Sequence, residues 1–211
     1  MEDHYKETFE TWNKVALLYQ EKFMHLDIYN STYDAFLGSL PKSSTVLEIG
    51  CGPGNISRHL LSERPDLQLL GTDIAPNMLQ LAAANNPTAT FLQLDCREIH
   101  QLEQLFNGII IGFCIPYINE EEVRKLITDC RNLLREDGVL YLSFVEGNPS
   151  QSGFQTGSSG DRVYFYYHLL ATIKEVLQAH HFEQPEVFHI PYTLSGDHTV
   201  IHTVVIARKG H

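Results

Sequence analysis

Three acidic residues close short apolar runs, and the first of them leads into a glycine-rich turn. The segment Val46-Leu47-Glu48-Ile49-Gly50-Cys51-Gly52-Pro53-Gly54-Asn55 passes from an apolar stretch through glycines at every second position. Glycine carries no Cβ and tolerates positive φ, so such a turn lets backbone approach a ligand that side chains would block. Two ligand classes compete for it. A dinucleotide fingerprint is Gly-x-Gly-x-x-Gly, but its third glycine falls here on Asn55, with Gly54 one residue early. The turn therefore fits a pyrophosphate poorly. Asp73 ends Leu70-Gly71-Thr72-Asp73 about 20 residues further on, the position from which a carboxylate accepts bonds from ribose hydroxyls. Asp95 ends Leu92-Gln93-Leu94-Asp95 in the same way. Gathered along one edge, Glu48, Asp73 and Asp95 suit a nucleoside carrying positive charge better than an anionic one.

These residues share an edge only if parallel strands carry them there. Runs at 45–49, 67–72, 90–94, 108–115 and 139–145 read as strands, alternating with helical segments near 55–63, 76–84, 98–106 and 120–135. The continuous run Ile109-Ile110-Ile111-Gly112-Phe113 is typical of a strand covered on both faces, which argues for a parallel sheet in an α/β fold. Asn119 caps the helix that follows, with Glu120, Glu121 and Glu122 at its positive dipole end and Arg131 and Arg135 in its last turn. Ahead of the sheet, Phe9, Trp12, Ala16, Tyr19, Phe23 and Leu26 fall on one stripe of an amphipathic helix. A second helix is expected to follow Asn30 or Ser31 as its cap and to be ended by Pro41. The run 147–160 is rich in Gly and Ser and reads as an irregular substrate-side loop. Asp161 is expected to cap a helix reaching about His180. Runs 186–192 and 199–208, joined through Ser195-Gly196-Asp197, read as an antiparallel hairpin.

The segments Val46 to Asn55, Gly71 to Leu79 and Phe91 to Arg97 resemble class I S-adenosylmethionine-dependent methyltransferases, close to the small-molecule methyltransferase-domain type. The resemblance covers the chain from about Thr45 to Arg208. It implies a Rossmann-like seven-stranded sheet of order 3-2-1-4-5-7-6, the last strand antiparallel, with helices on both faces. It also implies S-adenosyl-L-methionine as cofactor. By that resemblance Gly50, Cys51 and Gly52 border its methionine part, Asp73 takes both ribose hydroxyls, and Ile74 and Met78 flank the adenine. Asp95 and the Cys96 backbone bind the adenine's amino edge, Glu48 acts near the cofactor's amino group, and Phe113 belongs to the same site. Tyr19 stands where similar proteins close an N-terminal helix over the cofactor. Residues 1–40 then form a helical lid on a single domain spanning 1–211. Met78 and Tyr19 also read as core residues.

A sulfonium methyl group is already activated, so aligning an acceptor and excluding water is the main task. The acceptor is expected beyond strand four, at Gly112-Phe113-Cys114-Ile115-Pro116-Tyr117. An amino-methyltransferase signature, Asp/Asn-Pro-Pro-Tyr/Phe, is incomplete here, with Cys114 and Ile115 in place of its first two residues. Catalytic candidates are His168 as a general base, Tyr117 in an aromatic pocket and Glu146 at the end of strand five. Each also reads as structural.

Composition narrows the partners. Asp+Glu 26 against Lys+Arg 15 gives a net charge of −11, which opposes a phosphate backbone. Cys51, Cys96, Cys114 and Cys130 show no metal-ligand spacing and read as reduced thiols of a cytoplasmic protein, with no metal site expected. No run approaches the length of a membrane span. The leading reading is a methyltransferase acting on a small molecule. A protein that holds the cofactor without catalysis, and a nicotinamide-dependent oxidoreductase, are the alternatives.

Overall fold

The computed structural model describes residues 4–157, 160–193 and 199–211. Helices α1 (His4–Lys14), α2 (Ala16–Phe23) and α3 (Asn30–Gly38) precede strand β1 (Thr45–Ile49). Then follow α4 (Asn55–Glu63), β2 (Gln68–Asp73), α5 (Pro76–Asn85), β3 (Thr90–Gln93), β4 (Phe106–Gly112), α6 (Glu120–Leu133) and β5 (Leu134–Val145). The chain continues through β6 (Gly153–Thr156), β7 (Arg162–Phe165), α7 (Leu170–Ala179), β8 (Glu186–Thr193) and β9 (Thr199–Arg208).

Seven strands form one sheet in the order β3-β2-β1-β4-β5-β9-β8, and β6 with β7 forms a separate ribbon. With that ribbon left out of the count, the order is the expected 3-2-1-4-5-7-6. Strands β1 to β5 pair in parallel, while β9 runs antiparallel to both neighbours. The apolar run in β4 is buried on both faces because successive side chains point to opposite sides. Ile109 and Ile111 pack with Leu126, Ile127 and Ile173 of α6 and α7. Ile110 packs with Phe36 of α3 and Leu60 of α4 on the other face. Asn119 caps α6 in a reciprocal box: its Oδ1 accepts the Glu122 N–H at 3.0 Å, and Glu122 Oε2 accepts the Asn119 N–H at 2.9 Å.

Several local expectations are corrected. The first apolar stripe is one face of two helices rather than one, with a kink at Val15; the Val15 N–H still reaches Thr11 O and the Tyr19 N–H reaches Val15 O. Asn30 lies inside α3, and Tyr29 is its cap. The helix expected at 98–106 is a short 3-10 helix, Cys96–Gln101, because Phe106 starts β4 as a fully buried core residue. Helix α6 ends at Leu133, so Arg135 lies in β5. The largest difference is at 147–168. In place of an irregular loop and a helix start, Gly153–Thr156 pairs with Arg162–Phe165, and helix α7 begins only at Leu170. β-branched and aromatic residues in Arg162-Val163-Tyr164-Phe165 favour strand, and the Gly157 N–H closes the turn on Asp161 O at 2.8 Å. The expected turn Ser195-Gly196-Asp197 lies outside the described residues, although β8 and β9 pair up to Thr193 and Thr199.

Candidate functional site

A cavity opens at the carboxyl ends of β1, β2 and β4, where the strand order reverses. Gly50 and Gly52 form its floor at φ +68° and +53°. A Cβ on Gly50 would lie 2.9 Å from Cys114 Cβ, so only glycine lets the two chain segments meet here. The Gly52 N–H donates to Asp73 Oδ2 at 2.9 Å, and the Ala75 N–H donates to Asp73 Oδ1 at 2.8 Å. Two backbone bonds thus fix the carboxylate and leave acceptor capacity on both oxygens. Burial raises the Asp73 pKa, and those N–H bonds oppose the rise. Ile74, Met78 and Leu94 supply apolar surface beside it. Among the described lining residues Asp73 is the one charged group, and no Lys or Arg is present.

Tyr19, Cys96 and Phe113 also line this cavity, the last with φ +52°. Glu48, Cys51 and Asp95 lie behind its wall. Glu48 is 1% exposed and accepts a hydrogen bond from Ser57 Oγ; burial pushes its pKa up to about 8 against the pull of that bond. Cys51 is buried, its N–H bonded to Thr72 O at 2.9 Å. Asp95 is held by Arg97 on both oxygens, with Nη2 at 2.7 Å from Oδ2, and accepts from Tyr5 Oη at 3.0 Å. Burial works to raise its pKa, but the Arg97 bonds outweigh that and hold it below the usual carboxylate range.

A second cavity adjoins the first. Trp12, Tyr19, Phe113 and Tyr117 line both, so these four rings are the shared wall. Beyond them the second cavity is bounded by further aromatics from the two ends of the chain, including Tyr29, Phe165, Tyr167, Tyr192 and His202.

A family model described as "Methyltransferase domain" matches residues 46–138, the segment that carries the glycine turn, Asp73 and Asp95. Residues 46–138 are thus similar to the methyltransferase-domain family. Among curated relatives, trans-aconitate 2-methyltransferase of Enterobacter sp. (strain 638) is 37% identical over 108 residues, covering 51% of this chain and 42% of that protein. The tRNA (guanine-N(7)-)-methyltransferase of Clostridium beijerinckii is 27% identical over 133 residues, covering 54% and 60%. The chain spans about half the length of the first curated relatives it matches. A solved structure titled "DhpI-SAH complex structure" superposes with a TM-score of 0.75 at 14% identity, covering 100% of this chain and 98% of that one. It shares the fold from end to end, including elements outside the methyltransferase-domain segment.

The acceptor-side candidates divide by position. Tyr117 lines both cavities. His168 lines neither: it is 5% exposed, its Nε2 lies 3.0 Å from Ile115 O, and burial lowers its pKa. Glu146 accepts the Leu170 N–H at 3.2 Å and faces a separate surface hollow with Gly147 and His189. Sequence reasoning missed Tyr5, Thr8, Phe9 and Trp12 as lining residues of the first cavity. Their signal was the aromatic stripe itself, since Tyr5 extends it by one turn before Phe9. Trp12 Nε1 is buried and has no hydrogen-bond partner among the described residues, an orphan donor of the kind a ligand satisfies.

Proposed function

We propose that the chain is an S-adenosylmethionine-dependent methyltransferase acting on a small-molecule acceptor. The observation that carries this reading is Asp73, held by two backbone N–H groups as the one charge in a cavity free of Lys and Arg among its described lining residues. That donor set fits an adenosyl sulfonium: a carboxylate for a diol, apolar faces for a purine, and glycine backbone without phosphate-binding cations. It fits a pyrophosphate poorly, which disfavours a nicotinamide cofactor. Asp73 would hold the ribose, Ile74, Met78 and Leu94 the adenine, and Gly50 and Gly52 the methionine end. Glu48, Cys51 and Asp95 would act through the groups they brace. When bound, the cofactor supplies a methyl group already activated on sulfur.

The chain's own part is to orient the acceptor and keep water out. The second cavity is the acceptor chamber in this reading, because its wall is shared with the cofactor cavity. Residues 1–40 act as a lid, supported by the place of Tyr5, Trp12 and Tyr19 in the cavity lining. The segment 147–160 covers the acceptor side, supported by Gln155 and the paired Phe165. The −11 charge supports a small molecule over nucleic acid. Four free thiols support a cytoplasmic setting, and no described helix is long and apolar enough to cross a membrane. The direct test is methyl transfer from labelled S-adenosylmethionine into a metabolite extract. Label in a small molecule is the expected outcome. Label confined to RNA would reject the acceptor class, and cofactor binding without any transfer would favour a non-catalytic binding protein.

A further inference from the structure

The second cavity has a polar centre that the cofactor reading leaves unused. His202 of β9 lines it. Its ring is stacked on Tyr192 (centroids 4.7 Å apart, planes 12° apart) and lies edge to edge with Tyr29, nearly coplanar (6.0 Å, 10°), with Phe113 at 4.8 Å. Nδ1 lies 2.5 Å from Tyr29 Oη, and Nε2 has no partner among the described residues. Burial lowers the His202 pKa to about 4, so the ring is neutral near pH 7.

A neutral imidazole carries one N–H donor and one bare acceptor nitrogen. Tyr29 engages one nitrogen, so Nε2 must take the opposite role, and a ligand hydroxyl, which both donates and accepts, satisfies either tautomer. A carboxylate or an ammonium satisfies only one. Charge points the same way. The described lining holds no carboxylate, and its one full charge is Lys22, which sits over the Phe23 ring at 5.0 Å. A cationic acceptor would meet aromatic faces but no counter-ion, and a like charge at the edge. The aromatic lining, with Trp12, Tyr117 and Phe165 among its rings, favours a flat ligand. Phe113 touches His202 and also lines the cofactor cavity, which places the hydroxyl end of a ligand toward the shared wall.

We infer that the second cavity takes a flat aromatic molecule bearing a hydroxyl, seated among these rings with that hydroxyl on Nε2 of His202. This rests on the methyltransferase reading for its meaning as acceptor recognition, but the binding itself is tested separately.

Calorimetric titration of the full chain with 2-naphthol, 2-methylnaphthalene and phenyltrimethylammonium, with and without S-adenosylhomocysteine, decides it. Saturable binding of 2-naphthol is expected, about tenfold tighter than 2-methylnaphthalene and tighter than the cation. His202→Phe keeps a stacking ring and removes the nitrogen, so it should abolish the preference for the hydroxyl and leave 2-methylnaphthalene affinity in place. S-adenosylhomocysteine binding by His202→Phe, read from the emission of the single Trp, Trp12, shows that the variant is folded. No saturable 2-naphthol binding, an unchanged preference in the variant, or tighter binding of the cation would overturn the inference. If the variant does not fold, the 2-naphthol to 2-methylnaphthalene ratio on the wild-type chain decides alone. Failure of S-adenosylhomocysteine to bind would reject the methyltransferase reading without touching the naphthol result.

Discussion

Thr8 Oγ1 accepts the backbone N–H of Tyr164 at 2.9 Å, joining α1 to β7 across 156 residues of chain. The bond is protected, since Thr8 is 2% exposed, and His4 stacks on the Tyr164 ring at 4.5 Å. The neighbouring Arg162–Glu7 pair is half in solvent and contributes little by comparison. The N-terminal helix and the β6–β7 ribbon are therefore joined, and in the proposed reading they form one cover fastened at Thr8. Thr8→Val keeps the shape and leaves the Tyr164 N–H without its acceptor, at a cost of about 1–3 kcal/mol. Release of S-adenosylhomocysteine, followed by Trp12 emission in stopped flow, should quicken several-fold or more. An unchanged release rate would show that this cover does not gate the cavity.

Gly50 meets Cys114 so closely that an added methyl has nowhere to go, and its φ is +68°. Gly50→Ala should lower stability by roughly 2–3 kcal/mol through strain and overpacking together. Gly38, at the end of α3, has open space around its Cβ position. Gly38→Ala should be neutral or mildly stabilising. Urea midpoints of the two variants, measured side by side, check the contrast.

Glu48 has a pH signature of opposite sign to an ordinary paired carboxylate. Burial raises its folded-state pKa to about 8, well above the unfolded value. Between those two values the folded state holds a proton that the unfolded state has lost, so stability is full at low pH and falls as pH rises toward 8. Asp73, also raised by burial, contributes in the same direction. Glu48→Gln keeps an acceptor for Ser57 Oγ and removes the titration. Its urea midpoint should fall less between pH 5 and pH 8 than that of the wild type, by more than about 1 kcal/mol in stability. Parallel curves for the two proteins would contradict the buried, protonated Glu48.

The place of Gly50, Gly52 and Asp73 is legible in sequence because it depends on short-range spacing: strand, turn, helix, then a carboxylate at the next strand end; the order of the large sheet comes only with the family resemblance those segments carry. Spacing alone cannot show that Arg97, two residues beyond Asp95, occupies that carboxylate, or that Glu48 turns toward Ser57. The β6–β7 ribbon is hidden for another reason. Gly and Ser around 147–160 signal local irregularity, while the pairing that orders Gly153–Thr156 is with residues beyond the turn. His202, Tyr192 and Tyr29 lie too far apart along the chain for any local pattern to join them. Only the pairing of β9 with β5 and β8 brings two of them to the cavity, and α3 delivers the third.

The most direct test is calorimetric titration of S-adenosylmethionine into the wild-type chain and into Asp73→Ala. Saturable one-to-one binding by the wild type, weakened at least about tenfold in a variant that still unfolds cooperatively, is the predicted result. No binding to the folded wild-type chain, or equal affinity in the two proteins, would contradict the assignment of this cavity to an adenosyl sulfonium held by Asp73.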